Sequence, residues 1–166
     1  MNPSTGSGTE AGSGSGAGSG TGTGSGSGPS SGSLAVGDVV AEKTYELSRD
    51  SLVRYAGASG DFNPIHYRDD VARSVGLDGV LAHGMLTMGL AIQPVVDWLG
   101  PRGTITDYQV RFTRPVPVDP SAAASVTVVA KVGVIDDEGA RIDLTVTLEG
   151  ATVLGKAQVR VTLPAA

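Results

Sequence analysis

Residues 84–99 read GMLTMGLAIQPVVDWL, sixteen residues with one charge, Asp97, near their end. A helix that is apolar nearly all round has to be buried on nearly all sides. At 1.5 Å per residue the segment spans about 24 Å, short of the ~30 Å hydrocarbon core of a bilayer. It is therefore a core helix, and something else in the chain must surround it.

On its C-terminal side the hydrophobic period changes from 3.6 to 2. Over 104–112, Tyr108, Val110 and Phe112 alternate with Asp107, Gln109 and Arg111. A β-branched run over 126–135 leads into the turn Asp136-Asp137-Glu138-Gly139. Ile142, Leu144, Val146 and Leu148 then alternate with Arg141, Asp143, Thr145 and Thr147, and after Gly150 the series Val153, Ala157, Val159, Val161 and Leu163 follows. No helix intervenes, so the pattern predicts an antiparallel meander with one wet face. A curved sheet wrapped around one long buried helix is the α+β arrangement called the hot-dog fold. Its edge strand invites pairing, which makes a dimer with a continuous sheet the economical expectation.

On the N-terminal side, 39–47 reads as a strand in which Tyr45 and Leu47 alternate with Thr44 and Glu46. Ser48 or Asp50 caps a short helix carrying Leu52, Val53, Tyr55 and Ala56, which Gly57 and Gly60 end. A polar loop, Asp61-Phe62-Asn63-Pro64-Ile65-His66, comes next; Asp69 is then expected to cap a second helix over 70–75, closed by Gly76. Residues 1–33 differ in kind. They hold 12 of the 25 glycines, 10 serines and a single charge, Glu10. With no apolar side chains to offset backbone entropy, they read as a flexible appendage to one domain over 34–166.

Composition removes several function classes. There are no cysteines, which excludes disulfides, thiolate metal sites and a cysteine nucleophile. A formal net charge of −5 with 4% aromatic residues argues against nucleic acid as partner. No run approaches a membrane span and the N-terminus lacks the pattern of a signal peptide, so the expected location is cytoplasmic. The two histidines and scattered carboxylates make no metal spacing, and no glycine-rich phosphate loop precedes a βα unit.

Both histidines lie before the buried helix. His66 follows Asp61 by five residues across Asn63-Pro64, an extended or turned path that can aim both side chains at one small volume. On spacing alone a plainer reading stands beside this one, with Asp61 and Asn63 making turn hydrogen bonds and His66 a surface imidazole. His83-Gly84 opens the helix, where free N–H groups and the dipole's positive end suit a developing oxyanion, and glycine permits close approach by a ligand. Tight packing at the helix start would equally ask for glycine. His83 reads as a capping or packed histidine, without a proton-transfer role. Asp69, Asp70 and 136–138 read as caps and turns, and Ser59 lies in no nucleophile elbow.

The segment from Tyr55 to Leu90, YAGASGDFNPIHYRDDVARSVGLDGVLAHGMLTMGL, resembles the MaoC-like hydratase/dehydratase family through two linked blocks, G-D-x-N-P-I-H and A-H-G-M-L. The likeness continues through YQVRFTRPVPV and, within the family, is greatest to the catalytic beta subunit of mycobacterial-type (3R)-hydroxyacyl-ACP dehydratases. It implies reversible syn addition of water to a trans-2-enoyl thioester, giving the (3R)-3-hydroxyacyl thioester in fatty-acid metabolism. The implied catalytic pair falls on Asp61 and His66 and the oxyanion donor on the N–H of Gly84. Asn63 is expected to hold the loop or orient the water. No cofactor or metal is implied. The implied partners are an acyl-ACP or acyl-CoA substrate and a paralogous hot-dog subunit, or alternatively a second copy of the chain. Two other classes compete, a hot-dog acyl thioesterase and a non-catalytic acyl-CoA-binding module. Thioesterases of this fold carry an acid on the central helix, where only Asp97 is present, and a binding module has no need of Asp61 and His66 together. Arg68, Arg73 and Arg102 could meet an acidic carrier, although surface arginines are usually solvated.

Overall fold

The computed structural model describes residues 34–163. The expected appendage over 1–33 and residues 164–166 lie outside the described residues. In chain order the elements are β1 (Val39–Leu47), α1 (Arg49–Ser59), a 3₁₀ turn (Pro64–His66), α2 (Asp69–Ser74) and α3 (Gly84–Leu99), followed by a second 3₁₀ turn (Gly100–Arg102) and four strands. These are β2 (Thr104–Phe112), β3 (Ala124–Asp136), β4 (Gly139–Leu148) and β5 (Ala151–Thr162). One antiparallel sheet of order β1-β3-β4-β5-β2 packs against α3, the hot-dog arrangement expected.

The sheet is not a simple meander. Only β3, β4 and β5 follow one another through hairpins, the second closed by Glu149-Gly150 with positive φ at both residues (50° and 77°). β2 passes to the outer edge against β5, and β1 takes the opposite edge against β3. Both edges thus come from segments adjoining the helical region, which seats α3 across the sheet's concave face.

That face is lined by Val126, Val128, Val132, Ile142, Val146 and Val159, each under 2% exposed. Every such side chain contributes about 1.5–3 kcal/mol of apolar transfer. From α3 the residues Thr87, Ala91, Pro94, Val95 and Leu99 turn into this core, one helical stripe at spacings of three and four. Tyr108 ties β2 to the helix by donating its hydroxyl to the Met88 carbonyl (2.9 Å), and burial pushes that hydroxyl up to about 12.

α3 is not surrounded on all sides. Gly89 and Gln93 are exposed, and Met85 and Val96 in line with them are 58% and 41% exposed. Five strands cover one side of a helix and leave an apolar stripe on the other. Among the described residues, no helix is long and apolar enough to cross a membrane.

Candidate active site

The segment carrying Asp61 is held from both ends. Ser48 caps α1 in a reciprocal box with Ser51, and Gly60 closes the helix in the left-handed conformation (φ 75°), which only glycine adopts without strain. Gly57, expected to share in ending α1, lies within it. Ser59 donates its hydroxyl to the Tyr55 carbonyl (2.8 Å) and accepts the Asp61 N–H (3.2 Å). Asp61 Oδ1 accepts from the Asn63 N–H (3.2 Å), and Asn63 Oδ1 accepts from the Ile65 N–H (3.3 Å) at the start of the 3₁₀ turn that carries His66. Asn63 thus holds the loop. Ser59, no nucleophile by its context, is the brace at the loop's root.

His66 is half-buried, and its Nδ1 lies 2.8 Å from the Leu81 carbonyl. A carbonyl only accepts, so Nδ1 carries the proton and Nε2 presents its lone pair. The main chain reinforces this contact, since the Leu81 N–H donates to the Ile65 carbonyl (3.2 Å). Segment 80–82 is in turn pinned to 116–118 by the Ala82 N–H to Val116 (2.8 Å) and the Val118 N–H to Val80 (2.9 Å). The strand-end loop after β2 therefore sets the position of His66 through Leu81.

His83, the residue before α3, is 1% exposed and makes no capping hydrogen bond. Its Nε2 lies 3.1 Å from the Asp61 carbonyl oxygen, and its ring stacks on that of His66 with centroids 3.8 Å apart and planes 25° from parallel. Tyr55 covers it from α1 at 4.8 Å. Burial, with His66 adding to it, pushes the His83 imidazole below the ordinary histidine value, so the ring is neutral at neutral pH. Sequence reasoning left His83 as a capping or packed residue, and it does not cap; no local signal reports a bond that spans 22 residues.

At the helix start, the first helical bond runs from the Thr87 N–H to the His83 carbonyl (3.1 Å), so the N–H groups of residues 84–86 have no partner within α3. Space at Gly84 is tight: a Cβ there would lie 3.1 Å from Cε1 of Phe112, a residue 52% exposed that covers the helix start from the end of β2. Beside it opens a cleft of about 290 Å³ lined by Leu81, Gly84, Thr87, Phe112, Arg114 and Leu154, among others. Asp61 and His66 stand outside its lining, and His66 is linked to it through the Leu81 carbonyl.

Asp61, His66 and His83 each offer one ligand-type atom within 4.8 Å of the others. That grouping is poorly suited to a metal. Both histidine nitrogens would have to lie about 2.0–2.1 Å from the ion and in plane with it. Ring planes 25° from parallel and stacked at 3.8 Å meet only well beyond that reach. The spacing suits a water better, because two hydrogen bonds of about 2.8 Å to one water bridge atoms roughly 4.5 Å apart.

Other sequence candidates fall elsewhere. Asp69 does not cap α2, which starts one residue earlier than expected, at Asp69, with Arg68 in the cap position and no side-chain cap bond. Its carboxylate instead receives Arg49 and the Val80 N–H (3.3 Å). Asp97 pairs with Lys43 (3.2 Å) at the far end of α3, thirteen residues and about 20 Å of helix from Gly84. Arg68 pairs with Asp70 on the surface, and Asp136 and Glu138 receive Arg160.

Residues 33–151 match the family described as MaoC like domain. This chain belongs to the MaoC-like family. A mitochondrial 3-hydroxyacyl-[acyl-carrier-protein] dehydratase of Arabidopsis thaliana is 32% identical over 83 residues, which is 50% of this chain and 49% of the plant protein. An (R)-specific enoyl-CoA hydratase of Rhodospirillum rubrum is 31% identical over 83 residues, 49% of this chain and 58% of that one. The matches therefore span about half the length of these curated relatives. A solved structure described as a MaoC-like dehydratase superposes with a TM-score of 0.72 at 32% identity, covering 80% of this chain and 41% of that one. The 61–66 loop and the 83–84 helix start both lie within the MaoC-like match.

Proposed function

We propose that this MaoC-like chain is a hydro-lyase that interconverts a trans-2-enoyl thioester and the (3R)-3-hydroxyacyl thioester, with Asp61 and His66 sharing one water and the Gly84 N–H receiving the thioester oxygen. The observation that carries this reading is the convergence of the Asp61 carboxylate and a His66 ring nitrogen within 4.8 Å, beside the unpartnered start of α3. Pairing the Leu81 carbonyl with Nδ1 leaves Nε2 as the base, and the Asp61 carboxylate keeps lone pairs beyond the one given to Asn63.

C3 of an enoyl thioester accepts water only when charge moving onto the carbonyl oxygen is stabilised. Free N–H groups at the start of a sixteen-residue helix do this at low reorganisation cost. Water oxygen bonds C3 as one of its protons passes to the Asp61/His66 pair, and C2 takes a proton from the pair on the same face. Positioned groups of this type are typically worth about 10²–10⁴-fold. The acyl substrate, on coenzyme A or an acyl carrier protein, is supported by the names of the two relatives. A second hot-dog subunit, a paralogue or another copy of this chain, is supported by the exposed stripe on α3 and the two open sheet edges.

Crotonyl-CoA supplied to the purified chain, alone and with a hot-dog paralogue, tests the reading. Loss of the enoyl absorbance with no free thiol is expected. Thiol release would point to thioester hydrolysis, for which the α3 acid, Asp97, sits at the wrong end of the helix. Binding without either change would make the chain a non-catalytic module.

A further inference from the structure

We propose that His83 is the positioning residue of the site, holding Asp61 by its main chain and His66 by its ring face, with the two imidazoles kept as opposite tautomers. The proposal rests on the hydratase reading above and adds a residue that the reading does not use. His83 reaches the Asp61 carbonyl with Nε2 at 3.1 Å, and since that oxygen only accepts, Nε2 carries the hydrogen and Nδ1 is bare. In His66 the arrangement is reversed, with Nδ1–H on Leu81 and Nε2 bare.

The residue type is informative because it carries a cost. His83 Nδ1 is buried with no hydrogen-bond partner, an orphaned acceptor that a phenylalanine of similar shape would not bring. Capping does not explain the histidine, because no side-chain cap bond is made. What a histidine supplies here and an apolar ring cannot is the N–H that fastens the main chain of Asp61, 22 residues away, to the start of α3. Because Gly84 follows His83 directly, one residue fixes the Asp61 carboxylate and the His66 ring relative to the proposed oxyanion donor. Errors of about 1 Å in such placement cost on the order of 10²-fold in rate.

Two substitutions separate the donor from the ring. His83→Phe keeps a stacked ring and removes the donor; His83→Gln keeps an N–H near the Nε2 position and removes the ring. With crotonyl-CoA, His83→Phe is expected to lower kcat by about 10–100-fold with KM changed by less than about threefold, and His83→Gln to recover most of that loss. A full rate in His83→Phe would overturn the proposal. A purely structural role would lower the melting temperature of His83→Phe and leave kcat per folded molecule intact. Because the chain has only two histidines, imidazole ¹⁵N shifts of the wild-type protein give a second readout, expected to show Nδ1–H for His66 and Nε2–H for His83. The same tautomer at both, or the reverse pair, would also overturn it, even if His83→Phe fails to fold. If wild-type protein hydrates no enoyl thioester, the functional reading fails. The tautomers, and a shift of the Asp61 and Asn63 amide resonances in His83→Phe, still decide the positioning role.

Discussion

Between residues 59 and 66, the side-chain oxygens of Ser59, Asp61 and Asn63 take up main-chain N–H groups and the Leu81 carbonyl takes His66 Nδ1–H, which leaves the second Asp61 carboxylate oxygen and His66 Nε2 available. Between residues 83 and 87 a side chain, His83, again does the holding, but here the groups left available are main-chain N–H groups. Side chains on a braced loop can move protons, which suits the first region to acid–base work. Amides on a rigid helix cannot move protons but present a fixed dipole, which suits the second to charge stabilisation. The comparison also assigns glycine two duties, since Gly60 is required for its backbone conformation and Gly84 lets Phe112 lie close against the helix start.

The sharpest break falls on the loop. Asp61→Asn keeps the shape and the Asn63 contact while removing the basic carboxylate, and is expected to lower kcat by about 10²–10⁴-fold. His66→Ala should do the same, and the double variant should be little slower than either single one, because groups that act on one water are not additive. The loop side chains leave no large core cavity, so stability should shift by about 1 kcal/mol or less. An active wild type whose Asp61→Asn variant keeps more than about a tenth of the rate would rule out the shared water.

On the helix side the matching experiment is Gly84→Pro. Proline is tolerated at the first helical position, and the preceding His83 already has the φ −59° and ψ 130° that a following proline demands. Only the N–H is removed, with an expected loss of about 10²–10³-fold in kcat. Gly84→Ala is the control, because it adds a Cβ without removing the N–H. That Cβ would lie 3.1 Å from the Phe112 ring, which is 52% exposed and can give way. Alanine should therefore cost less than proline, and Phe112→Leu should restore part of the loss. Equal losses in Gly84→Pro and Gly84→Ala would show that the ring contact, and not the amide, matters at this position.

The two regions were unequally legible. α3 was readable because sixteen residues with one charge leave no other reading, and its bounds coincide with the observed ones. The bounds of β1 and β2 also coincide, on the alternation of Tyr45 and Leu47 and of Tyr108, Val110 and Phe112 with polar residues, although the register is irregular near Val39 and Ile105. Strand order was not readable, since alternation places residues on faces but does not say which edge pairs with which, and β2 went to β5. The exposed stripe on α3 had a signal, Gly89 and Gln93 at helical spacing, that mean hydropathy conceals. In the site, spacing across a proline left Asp61 and His66 beside a plainer turn reading, and it was the likeness to the MaoC-like blocks that singled them out, with Asn63 between them. His83 stayed ambiguous because its partner is a main-chain oxygen, which no residue type announces.

Asp69 shows the same limit and gives the smallest of the expected effects. An aspartate just before a helix reads as a cap, but this one accepts Arg49 Nη2 (2.9 Å) and Nη1 (3.2 Å), while Arg49 Nε donates to the Val118 carbonyl (2.6 Å). The assembly ties α1, α2 and the loop after β2 to the segment that holds His66, without touching the reacting groups. Arg49 holds the Asp69 carboxyl below the usual carboxylate range. A carboxyl lowered in the folded state stabilises the fold fully above its unfolded value, about 3.9. That contribution fades as the pH falls through the lower folded value. Asp69→Asn keeps the shape and one acceptor but loses the charge, so the melting temperature should fall by a few degrees at pH 7 with kcat of the folded protein little changed. The gap between wild type and variant should then close below pH ~4, as both side chains become neutral. Thermal melts across pH decide it. A gap that persists undiminished at low pH would mean that the charge is not what Arg49 reads, and a loss of kcat at pH 7 would mean that this ion pair reaches the site through Leu81 after all.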